Sequence, residues 1–175
     1  MATTYKAIAT VTVGSGGVTS ISFSNIPQTY TDLVILVSGR TDGSGNMCMQ
    51  INGSTTSYSQ IRLGGTGSSV YTNTSTGQSG ASGNSFLAGI SGASSNTANT
   101  FGNAQIYIPN YTGDRYKVGS SESNQENNAT TAYMELFAGV WSNTSPVTSI
   151  TLLTYDTGGK FVQYSTATLY GIKNT

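Results

Sequence analysis

The chain has 175 residues, no histidine, one cysteine, and seven acidic against seven basic side chains, for a formal net charge of zero. Imidazole-based proton transfer, thiol catalysis with a histidine partner and histidine-rich metal sites are therefore excluded, and no basic stripe exists to neutralise phosphates. Gly, Ser, Thr and Asn fill 88 of the 175 positions, which favours turns, strands and hydroxyl-rich surfaces over proton chemistry.

The length fits one domain over residues 1–175, large enough to bury a core without disulfides or metals. Hydrophobic residues are 36% of the chain but gather in short runs, which argues against disorder. The start, Met1-Ala2-Thr3-Thr4-Tyr5-Lys6, lacks the charged lead and long apolar stretch of a secretory signal. The longest apolar run, Leu33 to Val37, is too short to cross a bilayer. A soluble chain made without secretion is expected, with neither nucleic acid nor membrane as partner.

Strand signals dominate in chain order. Tyr5, Ala7, Ala9, Val11 and Val13 alternate with more polar neighbours as a half-buried first strand. Gly14 to Gly17 reads as a turn and Val18 to Phe23 as the return strand of a hairpin. Leu33 to Val37 is continuously apolar, as in a central strand. Turns at Asp42 to Gly45 and Asn52-Gly53 bracket strands at Met47 to Ile51 and Tyr58 to Leu63. Residues 64 to 84 read as a long polar loop, nearly devoid of apolar side chains. Such a loop lies either at a subunit or capsid interface, with Tyr71 as anchor, or as a flap over its own domain. Further strands are expected at Phe86 to Ile90, Ala104 to Ile108, Tyr116 to Val118, Tyr133 to Trp141, Val147 to Thr154 and Thr166 to Lys173. No helical stripe persists. The pattern predicts an all-β, antiparallel, jelly-roll-like sandwich whose first and last strands share one sheet and one core.

Catalytic constellations are absent from the motifs. Serines are abundant, but no histidine and no Ser-x-x-Lys pair accompanies them. The carboxylates are Asp32, Asp42, Asp114, Glu122, Glu126, Glu135 and Asp156. Turns account for Asp42, Asp114 and Asp156, a strand for Glu135, and an exposed polar loop for Glu122 and Glu126. Asp42-Gly43-Ser44-Gly45-Asn46 spaces its oxygens like a calcium loop but lacks the closing glutamate, and a turn explains it equally. The glycines of Gly64-Gly65-Thr66-Gly67 have neither the lysine nor the helix of a phosphate loop. The Asn-x-Ser/Thr sequons are no more frequent than composition predicts. Cys48 reads as a small strand side chain. No enzyme activity, metal or cofactor is expected.

Eleven tyrosines and Trp141 remain. Tyr71, Tyr111 and Tyr116 lie in or beside polar loops and are the candidate interface residues, for subunit or sugar contact. Tyr5, Tyr107, Tyr133 and Tyr170 sit within strands, where packing explains them.

The opening Thr4-Tyr5-Lys6-Ala7-Ile8-Ala9, the segment Ile21 to Leu33 around Asn25-Ile26-Pro27-Gln28, the stretch Asn127 to Tyr133 and the ending Ala167 to Lys173 resemble small virion proteins of tailed bacteriophages. The likeness covers most of the chain but rests on strand and turn patterns. It implies an outer structural component assembled into the virion in the host cytoplasm. A capsid decoration (cement) protein is favoured; a tail-fibre or spike module touching host-surface glycans is the alternative. It further implies a homo-oligomer, with a trimer favoured, and the major capsid protein or other virion proteins as partners. No catalytic residues come with it. A sheet rich in Thr and Val, with few titratable groups, suits that role by holding its charge state across a broad pH range.

Overall fold

A computed structural model describes residues 4–75, 78–80, 83–125 and 133–173. Among them the chain forms strands and no helix, as its β-branched, Gly-rich composition requires. In chain order these are β1 (Tyr5–Thr12), β2 (Ser20–Phe23), β3 (Asp32–Gly39), β4 (Asn46–Ile51), β5 (Tyr58–Gly65) and β6 (Val70–Ser75). The remainder are β7 (Gln78–Gly80), β8 (Gly83–Ile90), β9 (Gly102–Ile108), β10 (Lys117–Gln125), β11 (Tyr133–Trp141), β12 (Ile150–Thr154) and β13 (Thr166–Ile172).

Eight strands make the jelly roll. One layer has the order β1-β13-β3-β9 and the other β2-β12-β4-β8, all neighbours antiparallel. Followed along the chain, these eight strands alternate between layers except at β4 and β8, which pair within one layer, the interleaving of a jelly roll. Two insertions enlarge it. Strands β10, β11, β5 and β6 continue the first layer beyond β9 into an eight-stranded sheet, and β7 adds a fifth strand beside β8.

The core lies between the layers. Leu33, Ile35, Val37, Ile106, Ile108 and Leu169 face Ile21, Phe23, Met47, Met49, Ile150 and Leu152. Period-two burial along β9 and β13 places these side chains inward and their neighbours outward. Tyr58 stacks on Trp141 and meets Phe86 edge-on, closing the core below the insertion.

Three expectations are corrected. The first hairpin does not form, because β1 pairs with β13 in one sheet and β2 with β12 in the other; the turn at Gly14 to Gly17 carries the chain across the sandwich. The first strand also changes phase. A bulge between Ala7 and Ala9 makes Ile8 an extra residue, so Ile8 and Val11 pack on the core while Ala7 and Ala9 are exposed. Residues 64–84 are mostly strand rather than loop: β5 and β6 form a hairpin and β7 pairs with β8. Backbone pairing thus supplies hydrogen-bond partners along the described part of the segment. Within that segment, 76–77 and 81–82 lie outside the described residues, as do Glu126 and the stretch 127–132.

Candidate interaction face

The three tyrosines singled out from sequence do not come together. Tyr111 is fully buried, with its hydroxyl donating to the Pro27 carbonyl, so it is a core residue and presents nothing to a partner. Burial also raises its pKa above the ordinary tyrosine value. Tyr71 is half-buried on β6 and turned into its own domain. Its hydroxyl donates to the Glu135 carboxylate and accepts from Arg62 at 3.1 Å, and the Arg62 guanidinium lies 4.9 Å from its ring centre. The ring also covers Gly64, where any side chain would overlap it. Of the three, Tyr116 alone is well exposed.

The loop before β10 is pinned by Lys117. Its ammonium is buried and donates to the carbonyls of Gly113, Arg115 and Thr144 at 2.7, 2.6 and 3.2 Å. Three acceptors satisfy all three N–H donors, which is how a cation survives there. Burial lowers its pKa.

The carboxylates are dispersed into structural duties. Asp32 accepts from the Tyr107 hydroxyl at 2.9 Å and the Asn110 amide at 2.8 Å. Asp42 accepts from Lys160 N and Asp156 from Ser44 N, each at 2.6 Å, fixing the turns that sequence had compared with a calcium loop. Asp114 pairs with Arg115 at the surface. Glu135 forms an ion pair with Arg62. Glu122, expected in a loop, lies on β10 and faces solvent. Among the described residues no three His, Cys, Asp or Glu side chains converge as a metal site would need. Cys48 is buried between strands, and burial pushes its thiol up to about 11, far from a reactive thiolate.

What sequence reasoning missed is the outer face of the eight-stranded sheet. Register aligns Leu36, Gln105, Glu122, Leu136, Leu63 and Thr72 in one row across six adjacent strands. The next row carries Asn103, Asn124, Met134, Gly65 and Val70, and the row on the other side carries Ala138 and Ile61. Leu36, Ile61, Leu63, Val70, Val118, Met134 and Leu136 are all exposed, with Met134 at 53% and Val70 at 77%. A solvent-facing sheet normally alternates apolar-in and polar-out. The start of β11 does the reverse: Glu135 points in while Met134 and Leu136 point out, before Phe137 and Trp141 restore apolar burial.

The two ends of this face differ. Near β1 and β13, Tyr5, Tyr170 and Tyr107 flank Val34 and leave it buried. Near β11, β5 and β6 no such cover exists among the described residues. Between the ends, Gln105 sits opposite Glu122 and Asn103 opposite Asn124. These four side chains border two shallow depressions of about 440 and 510 Å³, walled by Leu36, Met134, Leu136 and Tyr107. The arrangement can bind by burial and amide hydrogen bonds; it holds no nucleophile–base pair. No protein-family model matches the chain, and no curated protein matches it.

Proposed function

We propose that this chain is a non-enzymatic structural protein of a tailed-phage virion, placed on the particle exterior as a capsid decoration protein that works by surface contact. The observation that carries this reading is the apolar face on β11, β5 and β6, left uncovered among the described residues, in a chain where Asp42, Asp156 and Glu135 serve turns and an ion pair. Contiguous exposed apolar patches of this kind mark contact sites for other proteins, membranes or ligands. The virion assignment is supported by the resemblance of the chain's ends and of its Asn25-Ile26-Pro27-Gln28 segment to small phage virion proteins, and by an inert, sparsely charged composition suited to lattice contacts. Incubating the purified protein with phage capsids lacking it, followed by cosedimentation and labelling of intact particles, tests the reading. Saturable binding to the shell is expected; absence from both shell and particle overturns it.

A second reading is a tail-fibre or spike module that holds host glycans. The block of Asn103, Gln105, Glu122 and Asn124 between apolar walls favours it, because paired amides and a carboxylate beside apolar surface suit sugar hydroxyls and ring faces. Retention on a glycan array, lost in Gln105→Ala, supports this alternative; an array with no signal removes it.

A further inference from the structure

We infer that the outer face of the eight-stranded sheet, centred on Leu136, is the contact between two copies of this chain. The inference rests on the reading of that face as a protein-contact surface and names its occupant.

The face is large enough to hold a second copy. Strands β9, β10, β11, β5 and β6 are consecutive in the sheet. At a spacing of about 4.8 Å and a rise of about 3.4 Å over roughly seven residues, they present about 570 Å². Two such faces bury about 1,100 Å², which clears the roughly 1,000 Å² that a specific interface needs. The apolar end alone would not reach that area; the amide rows on β9 and β10 complete it as a polar rim. An apolar centre with a polar, hydrogen-bonding edge is the anatomy of protein interfaces.

Its chemistry is also self-complementary. Outward positions on β11, β5 and β6 are Met134, Leu136, Ala138, Ile61, Leu63 and Val70 with threonines and glycine, and none is charged. A face meeting its own copy across a two-fold must tolerate like against like. Apolar groups do so, and Asn and Gln do so because an amide both donates and accepts. A surface shaped for an unlike charged partner would carry several charges, whereas the described outward positions of this face carry one, Glu122, directly opposite Leu136 on the neighbouring strand.

The inverted polarity at the start of β11 points the same way. Burying Glu135 with Arg62 while exposing Met134 and Leu136 is unfavourable in a solitary sandwich. A covering copy removes half of that disadvantage by burying the outward pair. A face that meets itself joins copies in twos, so it departs from the trimer that the phage resemblance implies.

Sedimentation velocity on the full chain, from low-micromolar to sub-millimolar concentration, tests the inference. A dimer is expected, and Leu136→Asp should raise its dissociation constant by at least about tenfold. Val70→Asp, on a side chain already mostly in water, should weaken it likewise and guards against a folding defect at Leu136. Tyr164→Asp, at an exposed position just before β13 and at the opposite end of the sheet from β11, β5 and β6, should leave the dimer intact. Thermal melts by circular dichroism confirm that each variant is folded. A monomer at every concentration overturns the inference, as does a trimer or any oligomer that the face substitutions leave unchanged. A monomer that still binds capsid shells would remove the second copy and keep the decoration role; a dimer that ignores shells would do the opposite.

Discussion

Glu135 shows how much a single inward carboxylate constrains its surroundings. Arg62 and Tyr71 converge on one of its oxygens, while its second oxygen and Arg62 Nε have no partner among the described residues. Such a pair adds little stability when intact, yet removing one member strands the other in a low-dielectric site. Glu135→Ala should therefore lower unfolding free energy by about 3 kcal/mol, the lower end for a broken buried pair, because the Arg62 side chain retains 26% exposure. Combining it with Arg62→Met should restore most of the loss. Urea unfolding of both variants measures this, and a double variant no better than the single one contradicts it. Sequence could place Glu135 on a strand but not on its inward side, since Tyr133 to Trp141 is apolar at positions of both parities. The same ambiguity concealed the interaction face. Leu36, Met134 and Leu136 look like core residues until cross-strand register shows which way they point.

At the level of elements, strands were legible wherever apolar and polar residues alternate, as in Ala104 to Ile108 and Thr166 to Ile172. They were hidden where both faces are polar. Val70 to Ser75 contains Thr72, Asn73 and Thr74, which carry no apolar period, yet they pair residue for residue with β5. The assignment of strands to sheets was equally invisible, because a turn of given length serves a hairpin or a crossing alike. The bulge at Ile8 shifted the apparent phase of β1 for a similar reason: one extra residue flips every side chain after it. Pairing of the first and last strands, by contrast, was legible from alternating segments at the two chain ends, although the inward phase of β1 was not. Strand β13 sits between β1 and β3 and contributes Ala167 and Leu169 to the core. Deleting residues 166–175 would leave β1 unpaired and the core open, so the truncated chain should lose its cooperative thermal transition. A truncated protein that melts like the full chain would contradict the observed order of the sheet.

At the scale of the whole molecule, the scarcity of titratable groups moves the pH limit of stability to the alkaline side. There is no histidine to charge as pH falls. Several groups, however, are held by burial in their protonated forms. Cys48 is raised from 9.0 to about 11, and Tyr58, Tyr107 and Tyr111 are raised as well, with burial the leading cause in each case. A group whose folded pKa exceeds its unfolded value contributes fully below the unfolded pKa. That contribution is lost as pH rises through the folded one, because the unfolded chain releases its proton first. Lys117, lowered by burial, acts in the opposite sense over its own window and offsets part of the decline. For Cys48 the window runs from pH 9 to about 11, and two pKa units correspond to roughly 2–3 kcal/mol. Unfolding free energy should hence decline across that interval, and Cys48→Ala should flatten the decline by about that amount whatever its effect at neutral pH. Urea titrations of both proteins through the interval decide it. Parallel pH profiles would mean that the thiol ionises as readily in the folded chain as in the unfolded one, and the buried environment of Cys48 between β4 and its neighbours would then be wrong.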